Sequence, residues 1–232
     1  TGIWREGAAT LAVSRNLWQL APGYAGPVLV VQDDDTVVAA DATLYYRDDL
    51  RRALAAAGVR PTGQTSAHLI LAAYRAWGAR CAERLEGDYA FILYDRRLRR
   101  TVAARDHVGS RPLFHAATDD GGLVVASTIG AVLAHPQVRA DLDLAALALD
   151  AGGTTFTLRD ETAYRQIVRL LPGETLLREG DGRTSRFMHW VFPMDRRATS
   201  SFAEGAEELR HLLVDAVDER LAVALSRLGV PD

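Results

Sequence analysis

The chain has 232 residues, 48% of them hydrophobic, enough to bury the core of one large domain or of one domain plus a piece. Its net charge is −3, with 27 basic and 30 acidic residues and no basic stripe, which argues against nucleic acid as a partner. No apolar run reaches membrane-spanning length and no signal peptide opens the chain, so the expected setting is soluble and cytoplasmic, with no membrane partner.

In chain order, "PVLVV" (27–31) and "TVVAA" (36–40) flank the acidic turn "QDDD" and predict a hairpin. In "YYRDDLRRALAAAG", Leu50, Ala53, Leu54 and Ala57 recur at helical spacing, and Gly58 suits the position just past a helix end. Residues 66–77, "SAHLILAAYRAW", predict a second helix with Ser66 as its cap and Leu69, Ile70, Ala73, Tyr74 and Trp77 on its apolar face. Cys81, the only cysteine, follows in "AWGARCAERL" and reads as a buried, inert thiol. A disulfide and a cysteine zinc site are therefore excluded within the chain. All 27 basic residues are Arg, which also excludes a catalytic lysine here.

"GDYAFILYD" (87–95) reads as a strand. "TVAARDHVGSRPLFHA" (101–116) then reads locally as strand, turn, strand, with Gly109 free to take positive φ and Pro112 fixing φ before the second strand. On local pattern alone this is a hairpin with Arg105 and Asp106 solvated at its tip. "GLVVAS" (122–127) is a strand leading into a short helix at 128–134, and 143–150 is helical again. Pro172-Gly173 separates two apolar runs, and "TSRFMHWVF" is a late strand.

"PMDRRATS" (193–200) is the best linker candidate. After it, Ser201 and Glu204 make a capping box for a long helix. Its stripe contains Phe202, Leu209, Leu212, Leu213, Ala216, Val217, Leu221 and Leu225. Such a helix after a β-rich unit predicts a covering surface in a second domain or another chain. The mixture of paired helices and strands predicts an α+β sandwich.

Of the six histidines, His68 reads as a satisfied, partly buried imidazole and His107 as solvated. His115, His135, His189 and His211 lack metal-like spacing, so no metal is expected on this chain.

Eight stretches fall into one order: "RDDLRRAL", "HLILAAYRAWG", "RLEGDYAFILYD", "AARDHVGSRPLF", "VVASTIGAVLAHPQV", "LLPGETLLRE", "HW" and the helix carrying "DERL". Together they resemble the N-terminal region of the asparagine-synthetase family, over roughly residues 27–225. The resemblance implies a class II glutamine amidotransferase fold, an N-terminal-nucleophile sandwich of α-β-β-α layers, over residues 1–192. It implies that 193–200 is a linker and that 201–232 begins an ATP-pyrophosphatase synthetase domain. The Ser-Gly-Gly-x-Asp-Ser phosphate loop of that domain does not occur in this sequence. ATP and Mg are accordingly expected with the synthetase domain, and no cofactor on this chain.

A glutaminase of that family uses an N-terminal Cys, an Asn-Gly pair for the oxyanion, and an Arg and an Asp that hold the substrate's α-carboxylate and α-amine. Here "TGI" resembles the family's "CGI", with Thr1 at the nucleophile position; an ordinary chain start is the competing reading. Asp41 and Ala42 stand where the family has Asn-Gly, and Ser66 stands where it has the amine-binding Asp. Arg15 is the nearest counterpart of the carboxylate-binding Arg. These substitutions point to lost glutamine hydrolysis. The resemblance suggests that Arg105 and Asp106 organise a turn at the sheet end, where they could also face the synthetase domain.

Family members without a working glutaminase include lasso peptide cyclases, which are macrolactam synthetases, and β-lactam synthetases. Both join an acyl-adenylate to an amine of the same substrate. The expected function is the N-terminal domain of such an enzyme, lasso cyclase first. The alternatives are a β-lactam synthetase, a glutamine-hydrolysing asparagine synthetase, or a non-enzymatic docking scaffold. Expected partners are the synthetase domain, a precursor peptide or peptide-processing protein, and a second copy of the chain through 201–228.

Overall fold

The computed structural model describes residues 1–16, 30–153, 160–194 and 201–228. Three sequence expectations fall partly outside them: the start of the strand at 27–31, most of the segment 193–200, and residues 17–24 of the stretch searched for a carboxylate-binding arginine.

The chain opens with a hairpin that the sequence reading assigned no element. Strands β1 (Gly2–Glu6) and β2 (Ala9–Val13) pair antiparallel through a turn in which Gly7 has φ +55°. Strands β3 (Val30–Gln32) and β4 (Thr36–Leu44) form the expected acidic-turn hairpin, whose Asp33 carboxylate accepts the Asp35 and Thr36 N–H groups. Helices α1 (Arg47–Ala56) and α2 (Ser66–Trp77) match expectation, and Gly58 takes φ +74° just past α1. Ser66 does not cap α2. Thr65 occupies the cap position, and the Ser66 hydroxyl accepts the Leu44 N–H at 3.3 Å, closing the end of β4 instead. Cys81 lies in the 3-10 segment Gly78–Arg84, fully buried, its thiol pushed up to about 12 by desolvation.

Strands β5 (Gly87–Asp95) and β6 (Arg100–Arg105) continue the first sheet. Strands β7 (Phe114–Ala117) and β8 (Leu123–Ala126) and helices α3 (Ile129–Leu133) and α4 (Leu144–Ala151) follow. Then come β9 (Val168–Arg169), β10 (Glu174–Arg178), β11 (Thr184–Met188) and α5 (Phe202–Leu228). The six-stranded sheet has the order β11-β10-β6-β5-β4-β3; the order β8-β7-β9 makes a separate three-stranded sheet.

The hairpin reading of 101–116 is therefore wrong. β6 lies in the large sheet and β7 in the small one, so the turn between them carries the chain from one layer to the next. Local pattern cannot distinguish the two, because both need a strand, a tight reversal and a strand.

Four layers follow from the period-2 alternation of the strands. Tyr89, Phe91 and Leu93 of β5 and Val102 and Ala104 of β6 face α1 and α2, where Leu54, Leu69 and Ile70 are fully buried. Each such aliphatic side chain stabilises the fold by roughly 1.5–3 kcal/mol. On the other face, Ala90, Ala103 and Leu176 meet Leu113, Leu123, Val125 and Leu170, while Val37 and Ala39 meet Leu11. The outer face of the small sheet, through Ala116, Val124 and Ala126, packs on Val132 of α3. The order is helices, large sheet, second sheet layer, helix: an α+β sandwich.

Helix α5 begins with the expected capping box, Ser201 and Glu204 bonding reciprocally. It touches the sandwich through Glu219, whose carboxylate accepts the Tyr46 N–H at the start of α1, and through Arg220 over the Tyr45 ring. Leu209, Leu212, Leu213, Val217 and Leu221 remain more than half exposed.

Candidate functional site

A cleft of about 880 Å³ opens between the two parts of the second sheet layer. Its floor is the large sheet, with Ala39, Ala90, Ile92 and Tyr94; one wall is β2 and the other is β8. Thr1, Ser14, Arg15 and Asp41 gather at one end.

The backbone explains that gathering. Gly2 pairs with Val13, which places Thr1 beside Ser14, and their hydroxyls lie 3.3 Å apart. Arg15 reaches over the floor and donates to the Ala40 carbonyl at 2.5 Å. Burial lowers its pKa, and the neighbouring Asp41 carboxylate opposes that shift. Asp41 lies on the cleft side of β4 and forms an ion pair with Arg111 at 3.6 Å. Ala42, the next residue, points the other way and packs against the helix-side core. Ser66 sits on the helix side of the large sheet and does not line the cleft.

The structure thus brings Thr1, Arg15 and Asp41 together and separates Ala42 and Ser66 from them. Among the described residues, the Thr1 hydroxyl has no imidazole or carboxylate partner. Asp41 brings to this end of the cleft a carboxylate, which accepts hydrogen bonds and donates none when ionised. Sequence reasoning missed Ser14 and Arg111. The strand alternation of 9–13 was the available signal for Ser14; no local signal marks Arg111.

Arg111 is positioned by the turn after β6. Asp106 is fully buried, not solvated as the local pattern suggested. Its carboxylate accepts three backbone N–H groups: Val108 at 3.2 Å, Ser110 at 2.9 Å and Arg111 at 3.0 Å. Arg105, half-buried, donates to the carbonyls of Gly109, Arg111 and Leu170. The pair organises the turn, as the family resemblance implied. Gly109 has φ +74°, and a Cβ there would sit 2.7 Å from the Arg105 guanidinium.

Beside this turn lies an aromatic cluster that sequence reasoning did not assemble. His107 stacks on Trp190 at 5.0 Å, so it is not the solvated residue expected. Burial lowers its pKa. His189 bridges the Tyr89 hydroxyl at 3.1 Å and the Thr175 hydroxyl at 2.9 Å, and burial pushes its pKa down to about 4. His68, partly buried, bonds the Thr65 hydroxyl at 2.7 Å. Among the described residues no group of three His, Cys, Asp or Glu converges on a point.

Residues 1–190 match the family model described as a glutamine amidotransferase domain. Asparagine synthetase [glutamine-hydrolyzing] 3 of Bacillus subtilis (strain 168) is 27% identical over 222 residues, 95% of this chain and 36% of that protein. Amidase chyE of Penicillium rubens is 27% identical over 190 residues, 76% of this chain and 25% of that protein. Among solved structures, a glutamine phosphoribosylpyrophosphate amidotransferase from B. subtilis in complex with ADP and GMP aligns at TM-score 0.46 and 18% identity, over 70% of this chain and 31% of that one. The chain spans about a quarter to a third of the length of these relatives. With the family model covering 1–190, where the sandwich and its cleft lie, the chain belongs to the glutamine amidotransferase domain family and is asparagine synthetase-like.

Proposed function

We propose that this chain is the amidotransferase-type domain of a larger ATP-dependent amide-forming enzyme and that its own cleft does not hydrolyse glutamine. The parent reaction favoured is macrolactam formation of the lasso-cyclase kind, in which an acyl-adenylate is attacked by an amine of the same substrate. β-Lactam formation is the next alternative. An internal amine removes the need for ammonia, and so for a glutaminase.

The observation that carries this reading is Asp41. Hydrolysis of an amide builds negative charge on the carbonyl oxygen, and preorganised donors there are worth about 3–4 kcal/mol each. Asp41 supports the opposite electrostatics at the position the resemblance assigns to the donor. Arg111 offsets part of its charge, but Arg111 is held by the Asp106 turn and not by the cleft.

One observation favours a second reading, that of a glutamine-hydrolysing asparagine synthetase. The Thr1 and Ser14 hydroxyls share the cleft, and a hydroxyl nucleophile is chemically competent when a base activates it. Ammonia release from glutamine separates the two. The expected result is no release above background; release that Thr1→Ala abolishes would establish the second reading.

A further inference from the structure

The cleft has an edge on each side as well as a floor. Among the described residues, β2 has only β1 as a ladder neighbour, and β8 is the outer strand of its sheet. Consecutive residues of each line the cleft, Ala9 to Val13 on one side and Leu123 to Ala126 on the other. Consecutive residues of a strand alternate faces, so such a run means that the backbone edge, not one side-chain face, meets the cleft. Among the described residues, two ladder edges without strand partners therefore face each other across one apolar floor.

Their directions can be read from what lies at each end. β2 runs from Ala9, next to the Glu6 turn that binds Arg96, to Val13, next to Thr1 and Arg15. β8 runs from Leu123, two residues after Gly121, whose carbonyl Arg178 reaches, to Ala126, which pairs with Phe114 beside Leu113. Both strands thus run from the Arg99–Arg178 end of the cleft to the Asp41 end. A strand laid between them is antiparallel to both when it runs the other way, the geometry that gives perpendicular ladder bonds on both sides.

The charges agree with that direction. At the Arg99–Arg178 end, Glu179 is already engaged by Arg100 at 2.9 and 3.0 Å. Among the described residues, neither Arg99 nor Arg178 has a carboxylate partner, so this end is cationic. At the other end, the Asp41 charge is met by Arg111 and Arg15. The floor is small at Ala39 and Ala90 and larger at Ile92 and Tyr94.

We infer that the cleft is a peptide slot: an extended segment of about five residues, acidic at its C-terminal end, adds as a strand between β2 and β8. This is β-augmentation on two edges at once, with backbone bonds giving affinity and the arginines setting direction. Five residues span ~17 Å, matching the five-residue β2. The inference does not rest on the loss of glutamine hydrolysis. Peptide binding and ammonia release are separate readouts, so either can fail alone.

The test uses the 232-residue chain. The probe is the hexapeptide acetyl-Val-Thr-Val-Thr-Val-Glu with a free carboxylate, read by amide hydrogen exchange. In the free chain, cleft-facing amides of β2 and β8 should exchange fast. The peptide should protect both strands together. A proline at its third position, which removes a ladder donor, should abolish the protection. Arg99→Glu, at an exposed position, should weaken binding roughly tenfold, as should Arg178→Glu. Protection of β2 and β8 in the free chain would mean that the two edges already pair with each other, and would overturn the inference. So would protection of one strand alone, indifference to the proline or to Arg99→Glu, or no protection at millimolar peptide.

Discussion

Replacing Asp106 by Ala should be among the most damaging single changes on the surface-loop side of this fold. The carboxylate is fully buried and accepts three backbone N–H groups at 2.9–3.2 Å. A hydrogen bond to a charged acceptor contributes about 1.5–3 kcal/mol. Three would sum to roughly 4.5–9 kcal/mol, but the turn can open and give its amides to water, and the three act as one unit. A loss of about 3–5 kcal/mol is expected, a large part of the 5–15 kcal/mol typical of a whole domain. Asp106→Asn separates charge from shape. Its oxygen can still accept from Val108 and Ser110, while its amide nitrogen then faces the Arg111 N–H, donor against donor. The loss there should be about 2 kcal/mol. Urea unfolding followed by tryptophan fluorescence measures both, since Trp190 stacks on His107 beside the turn. The reasoning fails if Asp106→Ala costs less than about 1 kcal/mol, or if Ala and Asn cost the same.

His115→Leu should stabilise the chain at neutral pH by about 1 kcal/mol, because the His115 Nε2 is buried with no partner among the described residues. The same variant should lose less stability on acidification. The folded imidazole is pushed down to about 4 by burial, and Arg186 adds to the shift. The unfolded imidazole titrates near 6.5, so the unfolded state holds more protons between about pH 4 and 6.5, and stability falls as pH drops through that window. Urea midpoints of both proteins across pH 4–7 measure this; parallel curves would exclude the assignment. Leu213→Glu should leave the sandwich within about 0.5 kcal/mol of its original stability, since Leu213 is more than half exposed. It should also reduce self-association in sedimentation velocity, and a core-sized loss of stability would show that α5 packs on the sandwich through this face.

The elements were legible where periodicity was strong. α2 and β5 begin and end where the sequence pattern placed them, because an apolar face at helical or strand spacing has one way to be buried. The first hairpin was passed over: in "GIWREGAATLAV" the apolar positions are interrupted by Ala and Gly, and its burial comes from Trp4 and Leu11 meeting Val37 and Ala39, which are distant in sequence. The β6–β7 connection was misread for a related reason. A reversal within one sheet and a crossing between sheets use the same local residues, and only the pairing of β7 with β8 and β9 decides between them. In the site, Asp41 and Thr1 were legible through the family resemblance. Arg111 was not, since its approach to Asp41 depends on a turn whose direction is set by buried hydrogen bonds. Ser66 was assigned a cap on local chemistry and instead closes β4, because the neighbouring strand end offered an unpaired N–H.

A continuous set of contacts joins the exposed helix to the cleft. Arg220 of α5 lies over Tyr45, whose hydroxyl donates to Asp88; Asp88 accepts from the Ser110 hydroxyl; the Ser110 N–H donates to Asp106, which also holds Arg111, the partner of Asp41. The links differ in strength. The Asp106 bonds are buried and charge-assisted, whereas the Arg220–Tyr45 contact is worth about 0.5–1 kcal/mol at an exposed site. Coupling along the set is limited by its weakest link, so rearranging α5 can bias the Arg111–Asp41 pair by no more than about 1 kcal/mol through this route. Asp106 itself sits at the strong end. It therefore fixes Arg111 in place whatever α5 contacts, and the electrostatics at the Asp41 end of the cleft belong to the sandwich rather than to its partners.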